Sequence, residues 1–339
     1  MSPSTSVDIG PDDGATSSPE VDVVSALLAV NTALEEELKS LQIKISSSLF
    51  RVDAIPDDVH MRAVSGFSRN IFHTVFSFLC LNNCTKYVNN LSPINQFFLF
   101  LVYLRTGVSQ NFLSILFQIH QTTVSKVINH QSHIIFSKLK SVDIWPSRES
   151  VNKSMPLILK RFPKCRAIID CTEFPIQQPS SPLLQQQTFS HYKNTNTLKA
   201  LIGITPSGAI SFISDLWGGS ISDKELFLKS KLLEKLEKEN LILADKGFKI
   251  SKELEEKGCQ FVTPHYLVDK IQFSPMELGE NKVVSNHRIQ VERAISRIKT
   301  YKIIEGKTLA RHWDIVNEFF FIVAFFANFG NPLINLQNY

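Results

Sequence analysis

The order of β-type segments in the second half of the chain constrains the fold most. Residues 166–176 (RAIIDCTEFPI) are a nearly continuous apolar run. Residues 197–205 and 209–217 are two further β-rich runs, separated by a Pro-Ser-Gly turn. Because turn residues divide runs rich in β-branched and aromatic side chains, the pattern predicts a strand followed by a β-hairpin.

Helical and strand-like segments alternate after the hairpin. Ser222 and Glu225 have the spacing of a capping box, which predicts a helix over residues 225–239. A strand, a short helix and a strand follow, over residues 241–245, 251–258 and 260–264. The full succession is β-β-β-α-β-α-β, which is typical of an α/β domain.

Two more helices are predicted beyond an irregular stretch at residues 265–285. The sequence HRIQVERAISRIKTY places Val291, Ile295 and Ile298 on one helical face. A final helix over about residues 310–329 is dense in Phe, and we expect it to be buried.

Residues 92–141 predict three short helices joined by short turns. The first has Pro93 at its first position and ends at Gly107, the second follows Ser109, and the third follows Thr122. This spacing indicates a helix-turn-helix. A helical bundle with a polar exterior is the alternative interpretation.

The third of these helices carries the side chains expected to contact DNA. Val124, Val127 and Ile128 form its packing face. The polar side chains expected to point outward, where they could reach base edges and phosphates, are Thr123, Ser125, Lys126, Asn129 and His130.

The front of the chain is organised differently. Residues 1–20 have the Ser, Pro, Asp and Gly composition of a disordered acidic tail. Residues 21–50 predict one amphipathic helix, which either dimerises as a coiled coil or docks on its own protein. Residues 51–150 form a helical region that contains the helix-turn-helix.

Charge and cysteine content limit the functional class. Removing residues 1–40, which hold eight acidic residues and one Lys, leaves 35 basic and 24 acidic residues, or +11. Such a basic body makes a nucleic acid a reasonable partner, although a soluble charged surface explains the charge equally well. Five scattered Cys suit a reducing compartment. No signal peptide or membrane span is apparent.

Three acidic residues are the candidates for catalysis. Asp170 and Asp245 end apolar strand-like runs, and Glu292 borders the apolar stripe of the later helix. Together, their oxygens could hold two Mg²⁺ ions about 3.5–4 Å apart. One ion would activate the attacking hydroxyl or water, and the other would stabilise the leaving oxygen of a phosphodiester.

Each of these acids also has a structural explanation. A strand-end Asp often hydrogen-bonds the following turn. Glu292 lies four residues after Arg288, which is the spacing of a helical ion pair. Glu173 could alternate outward on the first strand, and Asp223 is placed to favour a helix N-terminus.

Four segments resemble the successive motifs of the DDE superfamily endonuclease domain, as in PIF/Harbinger-type transposases and the cellular nucleases derived from them. They are IIDCTEFPIQQPSS, FSHYKNTNTLKALIGITPSGAISFISDLWGGSISDKE, LILADKGF and NHRIQVERAISRIKTYKII, and the resemblance covers residues 164–333. It implies an RNase H-like fold, which is a mixed five-stranded sheet with flanking helices. Residues 88–140 similarly resemble the all-α helix-turn-helix region that precedes this domain.

The resemblance assigns roles to individual residues. The catalytic, metal-binding acids of the family fall on Asp170, Asp245 and Glu292, and two Mg²⁺ or Mn²⁺ ions are the implied cofactors. Many relatives carry an N-terminal THAP zinc module, but this sequence lacks its Cys/His set. Cys80 and Cys84 are interpreted as buried thiols instead.

Basic and amide side chains near the predicted site could bind DNA phosphates. Residues 282–311 contain eight Lys or Arg and two Glu, although a solvated basic helix face would show the same bias. The candidate DNA-binding residues here are Lys193, Asn194, Asn196, Lys199, Arg288, Arg293, Arg297 and Lys299.

These features predict a nuclear, transposase-like DNA endonuclease that hydrolyses phosphodiester bonds and carries out strand transfer. The expected partner is double-stranded DNA. The resemblance also implies a separate DNA-binding accessory protein. The sequence does not decide whether this partner is needed or whether the chain forms a homodimer. The alternative is a domesticated, catalytically silent protein that binds DNA or acts as a scaffold.

Overall fold

The computed structural model describes residues 19–48, 50–84, 91–245, 247–263, 288–308 and 312–333. The predicted acidic tail, apart from its last two residues, and the irregular stretch at 265–285 lie outside the described residues. Two units are present, the first ending at Phe50 and the second beginning at Arg51. No helix among the described residues is long and apolar enough to cross a membrane.

The first unit contains one long helix, α1, over Pro19–Ser48. Its bounds agree to within two residues with the helix expected over residues 21–50. Wherever side chains of α1 are described, they are exposed.

Seven helices precede the sheet among the described residues of the second unit. The helices are α2 (Asp58–Ser65), α3 (Arg69–Phe78), α4 (Leu81–Cys84), α5 (Pro93–Thr106), α6 (Gln110–Phe117), α7 (Gln121–Lys140) and α8 (Arg148–Lys153). Short 3-10 helices cover Val52–Ala54 and Leu157–Arg161. The helical region predicted ahead of the sheet is therefore confirmed.

Local capping chemistry sets the bounds of the three helix-turn-helix elements. Helix α5 ends where Gly107 adopts a φ of 63°, which costs a glycine little because it has no Cβ. Helix α6 begins where Ser109 accepts a hydrogen bond from the Phe112 backbone N–H. Helix α7 begins at Gln121, two residues earlier than expected, because the His120 ring, rather than Thr122, caps it.

The sheet combines antiparallel and parallel pairs. Its strands are β1 (Cys165–Pro175), β2 (Phe189–Ser190), β3 (Thr195–Ile204), β4 (Ile210–Ile213), β5 (Trp217–Gly218), β6 (Leu241–Ala244) and β7 (Gln260–Val262). Five of them lie in the order β4-β3-β1-β6-β7, with β2 and β5 paired to β3. The β1–β3 and β3–β4 pairs are antiparallel, whereas β1–β6 and β6–β7 are parallel.

The predicted mixed sheet with flanking helices is thus confirmed, with two short strands added. The expected strand at 209–217 is split into β4 and β5. The expected helix at 225–239 is likewise split at Lys231, whose backbone has a left-handed φ of 64°. The helices of this region are α9 (Pro182–Thr188), α10 (Asp223–Lys229), α11 (Leu232–Lys235), α12 (Ser251–Glu256), α13 (residues 288–299), α14 (Lys302–Glu305) and α15 (Val316–Phe326).

Helices cover both faces of the sheet. On one face, Ile169 and Leu201 pack with Phe227 of α10 and Leu254 of α12 in a buried cluster. On the other face, the Phe174 ring of β1 meets the Phe320 ring of α15 at 5.1 Å. Helix α13 covers this second face with Val291, Ile295 and Ile298, which are buried as predicted. A 3-10 helix at Ala327–Phe329 follows α15.

The helix-turn-helix segment packs directly on the sheet domain. Ser132 of α7 donates a hydrogen bond to Glu318 of α15 at 2.7 Å. The Tyr103 hydroxyl of α5 lies 2.7 Å from Nε2 of His312. These buried contacts, together with apolar packing between α7 and α15, make residues 51–339 one compact unit.

Candidate active site

Two aspartates occupy matching positions on neighbouring parallel strands. Ile169 of β1 is opposite Ala244 of β6, so Asp170 and Asp245 come next along each chain. Both line a narrow cleft, with a cavity volume of only about 10 Å³, that also contacts Arg288 at the start of α13. Two residues 75 positions apart in the sequence therefore come together through strand register.

Asp170 lies inside β1 rather than at its end, which corrects the sequence-based expectation. Strand β1 continues to Pro175 because β3 pairs with it throughout, with Asp170 opposite Ile202. The Oδ1 atom of Asp170 accepts a hydrogen bond from the Cys171 backbone N–H at 2.8 Å. Burial raises the pKa of Asp170 to about 6, outweighing this bond, and the neighbouring negative charge of Asp245 contributes to the rise.

Arg288 connects the second aspartate to the predicted third acid. Its Nη1 atom lies 3.3 Å from Oδ1 of Asp245, and its Nε atom lies 3.1 Å from Oε1 of Glu292. The helical ion pair considered as an explanation for Glu292 is thus present. The Glu292 side chain is 49% exposed and is not among the residues that line the pocket.

The carboxylates only partly suit a divalent metal ion. Asp170 and Asp245 offer the hard oxygen ligands that Mg²⁺ prefers, from rigid neighbouring strands. Glu292, however, is engaged by Arg288, and the described residues contain no group of three His, Cys, Asp or Glu side chains that could hold an ion. In this arrangement the three acids do not fit a complete metal site.

Residues 169–328 match the family model described as "DDE superfamily endonuclease", and residues 89–141 match "Helix-turn-helix of DDE superfamily endonuclease". Residues 169–328 are a DDE superfamily endonuclease domain. The helix-turn-helix match covers α5, α6 and α7, in the order found in this family.

Curated relatives agree with the family. The proteins named "Putative nuclease HARBI1" of Rattus norvegicus, Bos taurus and Mus musculus are each 21% identical to this chain over 208 residues. The alignment covers 59% of this chain and 58% of each relative, which is less than two thirds of the relatives' length. No solved structure matches the chain significantly.

Some of the residues expected to bind DNA in the endonuclease domain are exposed, whereas others bind the protein itself. Lys193, Asn194 and Arg293 are exposed. Arg297 instead donates hydrogen bonds to backbone carbonyls of Ala327 and Asn331 at 3.2 and 2.6 Å. Its guanidinium therefore links α13 to the segment after α15 by hydrogen bonds and is not available to DNA in this arrangement.

Lys199 is also committed to protein contacts. Its ammonium lies 2.6 Å from Asp223 and 3.8 Å from Glu173, and only 12% of the side chain is exposed. Glu173, expected to alternate outward, is 9% exposed. Lys199 is paired with Glu173 in the β1–β3 register, on the sheet face opposite Asp170, so Lys199 is not directed toward the pocket.

Asn196 and Lys299, which were also expected to contact phosphates, are both at least partly buried. Asn196 is buried, and its amide donates to the Gln185 carbonyl and to Thr188. Lys299 is half-buried over the Phe174 ring, 5.6 Å from its centroid. Burial, with the positive charge of Lys193 nearby, lowers the pKa of Lys299.

The outward face of α7 differs from the expectation at one position. Lys126, Asn129 and His130 are exposed, and Ser125 is partly exposed. Thr123 is only 6% exposed, so the expectation that it points outward is wrong. It lies one turn before Val127, and both belong to the packing face.

The prediction that Cys80 and Cys84 are buried thiols is not confirmed. Cys80 is exposed, and the side chain of Cys84 lies outside what the structure describes.

One contact of the site was missed by the sequence analysis. The contact between Arg288 and Asp245 spans 43 residues. The basic residues around Arg288 predicted a charged helix face, and the i,i+4 spacing predicted its ion pair with Glu292. No spacing in the sequence indicated that Arg288 also contacts Asp245.

Proposed function

We propose that this chain is a transposase-type DNA endonuclease that hydrolyses phosphodiester bonds with the help of two Mg²⁺ or Mn²⁺ ions. Asp170, Asp245 and Glu292 are the proposed catalytic and metal-binding residues. The observation that carries the proposal is the side-by-side position of Asp170 and Asp245 on adjacent parallel strands. Rigid strands hold such ligands in place at little entropic cost.

Metal binding by all three acids requires Arg288 to move. Its guanidinium now contacts both Asp245 and Glu292, so one cation already lies between these two carboxylates. A divalent ion would compete with Arg288 for the same oxygens. The Glu292 side chain is 49% exposed, which favours such an exchange.

Double-stranded DNA is the proposed substrate. The exposed residues Ser125, Lys126 and Asn129 of α7 are proposed to contact the duplex as part of the helix-turn-helix. Lys193, Asn194 and Arg293 are proposed to bind phosphates near the pocket. Strand transfer by the freed 3′-hydroxyl is the proposed second reaction. Arg288 is also proposed to bind DNA, which it could do if its contacts with Asp245 and Glu292 were released.

The wider assignments follow from this activity. We propose that residues 164–333 form the catalytic domain, with an RNase H-like relationship supported by the strand order β4-β3-β1-β6-β7. An enzyme acting on chromosomal DNA is expected in the nucleus. A separate DNA-binding accessory protein is a further proposed partner.

Cleavage of a labelled DNA duplex in Mg²⁺ tests the proposal. We expect Asp170→Asn, Asp245→Asn and Glu292→Gln each to reduce cleavage at least a hundredfold, because each removes a charged ligand. Asp143→Asn is the matched control, since this exposed aspartate contacts Lys235 and the Trp145 backbone N–H and does not line the pocket. Undiminished cutting by Asp245→Asn would remove the proposed site.

A catalytically silent DNA-binding or scaffolding protein is the second candidate. The observation in its favour is the engagement of Glu292 by Arg288, which leaves no three-ligand group among the described side chains. Titration of the chain with Mn²⁺ by calorimetry separates the two candidates. Saturable binding that is lost in Asp170→Asn supports the nuclease, whereas no binding supports the scaffold.

A further inference from the structure

Helix α1 carries a heptad repeat with one polar residue in its apolar seam. Two sets of positions, seven residues apart within each set, define the first (a) and fourth (d) positions of the heptad. The a positions are Val24, Asn31, Leu38 and Ile45, and the d positions are Leu27, Leu34 and Leu41. The repeat spans slightly more than three heptads of a helix that is continuous over Pro19–Ser48.

The seam is exposed where its side chains are described. Val24, Leu27, Leu34 and Leu38 have 56%, 63%, 52% and 58% of their surface in contact with solvent. Leu28, in the position next to Leu27, is 60% exposed. A row of large apolar side chains this exposed favours burial against another surface.

We propose that α1 joins a second copy of this chain in a parallel, in-register, two-stranded coiled coil. β-Branched residues at a with leucine at d favour two strands over three or four. Val24 and Ile45 occupy a positions, and every apolar d position is leucine. The choice of side chains in the seam therefore specifies a dimer.

Asn31 selects the parallel orientation. In a parallel in-register dimer, a positions face a positions, so the two Asn31 amides meet and can hydrogen-bond each other. In an antiparallel pair, a positions face d positions, and Asn31 would oppose a leucine. Its amide would then be buried without a partner, which is costly.

The flanking charges are compatible with this arrangement. In a parallel dimer, the g position of one helix lies near the e position of the next heptad in the partner. These pairs are Val30 with Glu35 and Glu37 with Gln42, so neither juxtaposes like charges. The six apolar a and d positions of each helix would remove roughly 700–1,400 Å² from solvent in total, at about 60–120 Å² each. This reaches the scale of about 1,000 Å² for specific interfaces.

The mass of the full chain in solution tests the proposal. We expect wild-type chain to approach twice its monomer mass in light scattering as its concentration rises, because three heptads give reversible association. The double variant Leu34→Glu/Leu38→Glu should remain monomeric over the same range. The control Ala29→Glu/Ala33→Glu adds the same charge on the outer face of α1 and should dimerise like wild type.

A disulfide experiment tests orientation and register. In Leu27→Cys, parallel in-register helices bring the two new thiols together, and peptide mapping after mild oxidation should find a 27–27 link. Ala26→Cys, one residue away, should form at least tenfold less of its own link. An antiparallel pair would place Leu27 against Leu38 of the partner, about 16 Å along the helix from the second Leu27, and would give no 27–27 link.

Substitution of Asn31 provides the third measurement. Asn31→Val should strengthen self-association at least tenfold and admit species larger than a dimer, because the polar register contact is gone. A wild-type chain that stays monomeric at every concentration, a trimer, or a dimer that survives Leu34→Glu/Leu38→Glu would overturn the proposal. Monomer with α1 protected from proteolysis would indicate docking on its own protein instead.

Discussion

The guanidinium of Arg288 lies 3.3 Å from Oδ1 of Asp245, although 43 residues separate them in the sequence. This contact joins the start of α13 to the segment after β6. Because Arg288 also pairs with Glu292, it contacts two of the three proposed ligand carboxylates. The family resemblance places a metal where the structure places an arginine side chain.

Replacing this arginine should strengthen metal binding. In Arg288→Gln, the competing cation is lost, and both Asp245 and Glu292 become available to an ion. We expect Mn²⁺ affinity, measured by calorimetry without DNA, to rise roughly tenfold, which corresponds to about 1.4 kcal/mol. Arg293→Gln is the control, because this exposed arginine on the same helix lines no part of the pocket. Equal affinities in both variants would contradict competition by Arg288.

Asp170 should make the metal-free protein less stable as the pH rises. Its pKa is about 6 in the folded chain and 3.8 in the reference state. Between these values the folded state binds more protons than the unfolded state, so stability falls with increasing pH. Below about pH 4 the penalty is absent, and above about pH 6 it is fully present, on the order of 3 kcal/mol.

Asp170→Asn removes this penalty while keeping an oxygen that accepts from the Cys171 N–H. In urea unfolding followed by circular dichroism, the variant should match wild type near pH 4. At pH 7 it should be more stable by on the order of 3 kcal/mol. A constant difference between the two proteins from pH 4 to pH 7 would show that the Asp170 carboxyl titrates normally.

Much of the fold was predictable because local chemistry determines it. Pro93 and Gly107 mark the two ends of α5, since proline fixes φ at a first turn and glycine adopts a left-handed φ freely. Val291, Ile295 and Ile298 identify the buried face of α13 from spacing alone. Such features depend on residues a few positions apart.

The remainder depended on contacts across the sequence. Lys199 looked available for DNA because nothing nearby in the chain shows that Asp223 neutralises it across 24 residues. Thr123 is buried because α7 packs against α5, α6 and α15, so its packing face is wider than the stripe of Val124, Val127 and Ile128. The pairing of Asp170 with Asp245 followed from the family motifs, whereas the position of Asp170 in mid-strand required the register with β3.

Lys126 should contribute to DNA binding through its charge. It is exposed on α7 and has no ion pair among the described residues. In Lys126→Gln, we expect duplex affinity to fall about threefold to tenfold near 0.1 M salt. The slope of log affinity against log salt should decrease by about 0.9, as for one lost phosphate contact.

Lys164→Gln is the control for this measurement. It removes the same charge from an exposed lysine that pairs with Glu239 at 3.3 Å, outside the helix-turn-helix. Fluorescence anisotropy at several salt concentrations gives both slopes. An unchanged slope in Lys126→Gln would place the duplex away from this face of α7.

Asn328 should be important for stability because it completes the open edge of the sheet. Strand β4 pairs only with β3 among the described strands. The Asn328 side chain accepts a hydrogen bond from the Ile210 N–H at 2.8 Å and donates one to the Ile210 carbonyl at 2.9 Å. One amide thus satisfies both backbone groups that a further strand would otherwise bind.

Asn328→Leu should therefore lower the free energy of unfolding by about 2–4 kcal/mol, as two backbone groups lose their partners. Asn328→Asp keeps the acceptor but loses the donor, so about half that loss is expected in urea unfolding. Asn111→Leu, at an exposed position of α6, should change stability by less than about 0.5 kcal/mol. Because the freed edge can pair with another chain, Asn328→Leu should also aggregate sooner than Asn111→Leu in light scattering. Equal stability of the two leucine variants would mean that water replaces the Asn328 amide at no cost.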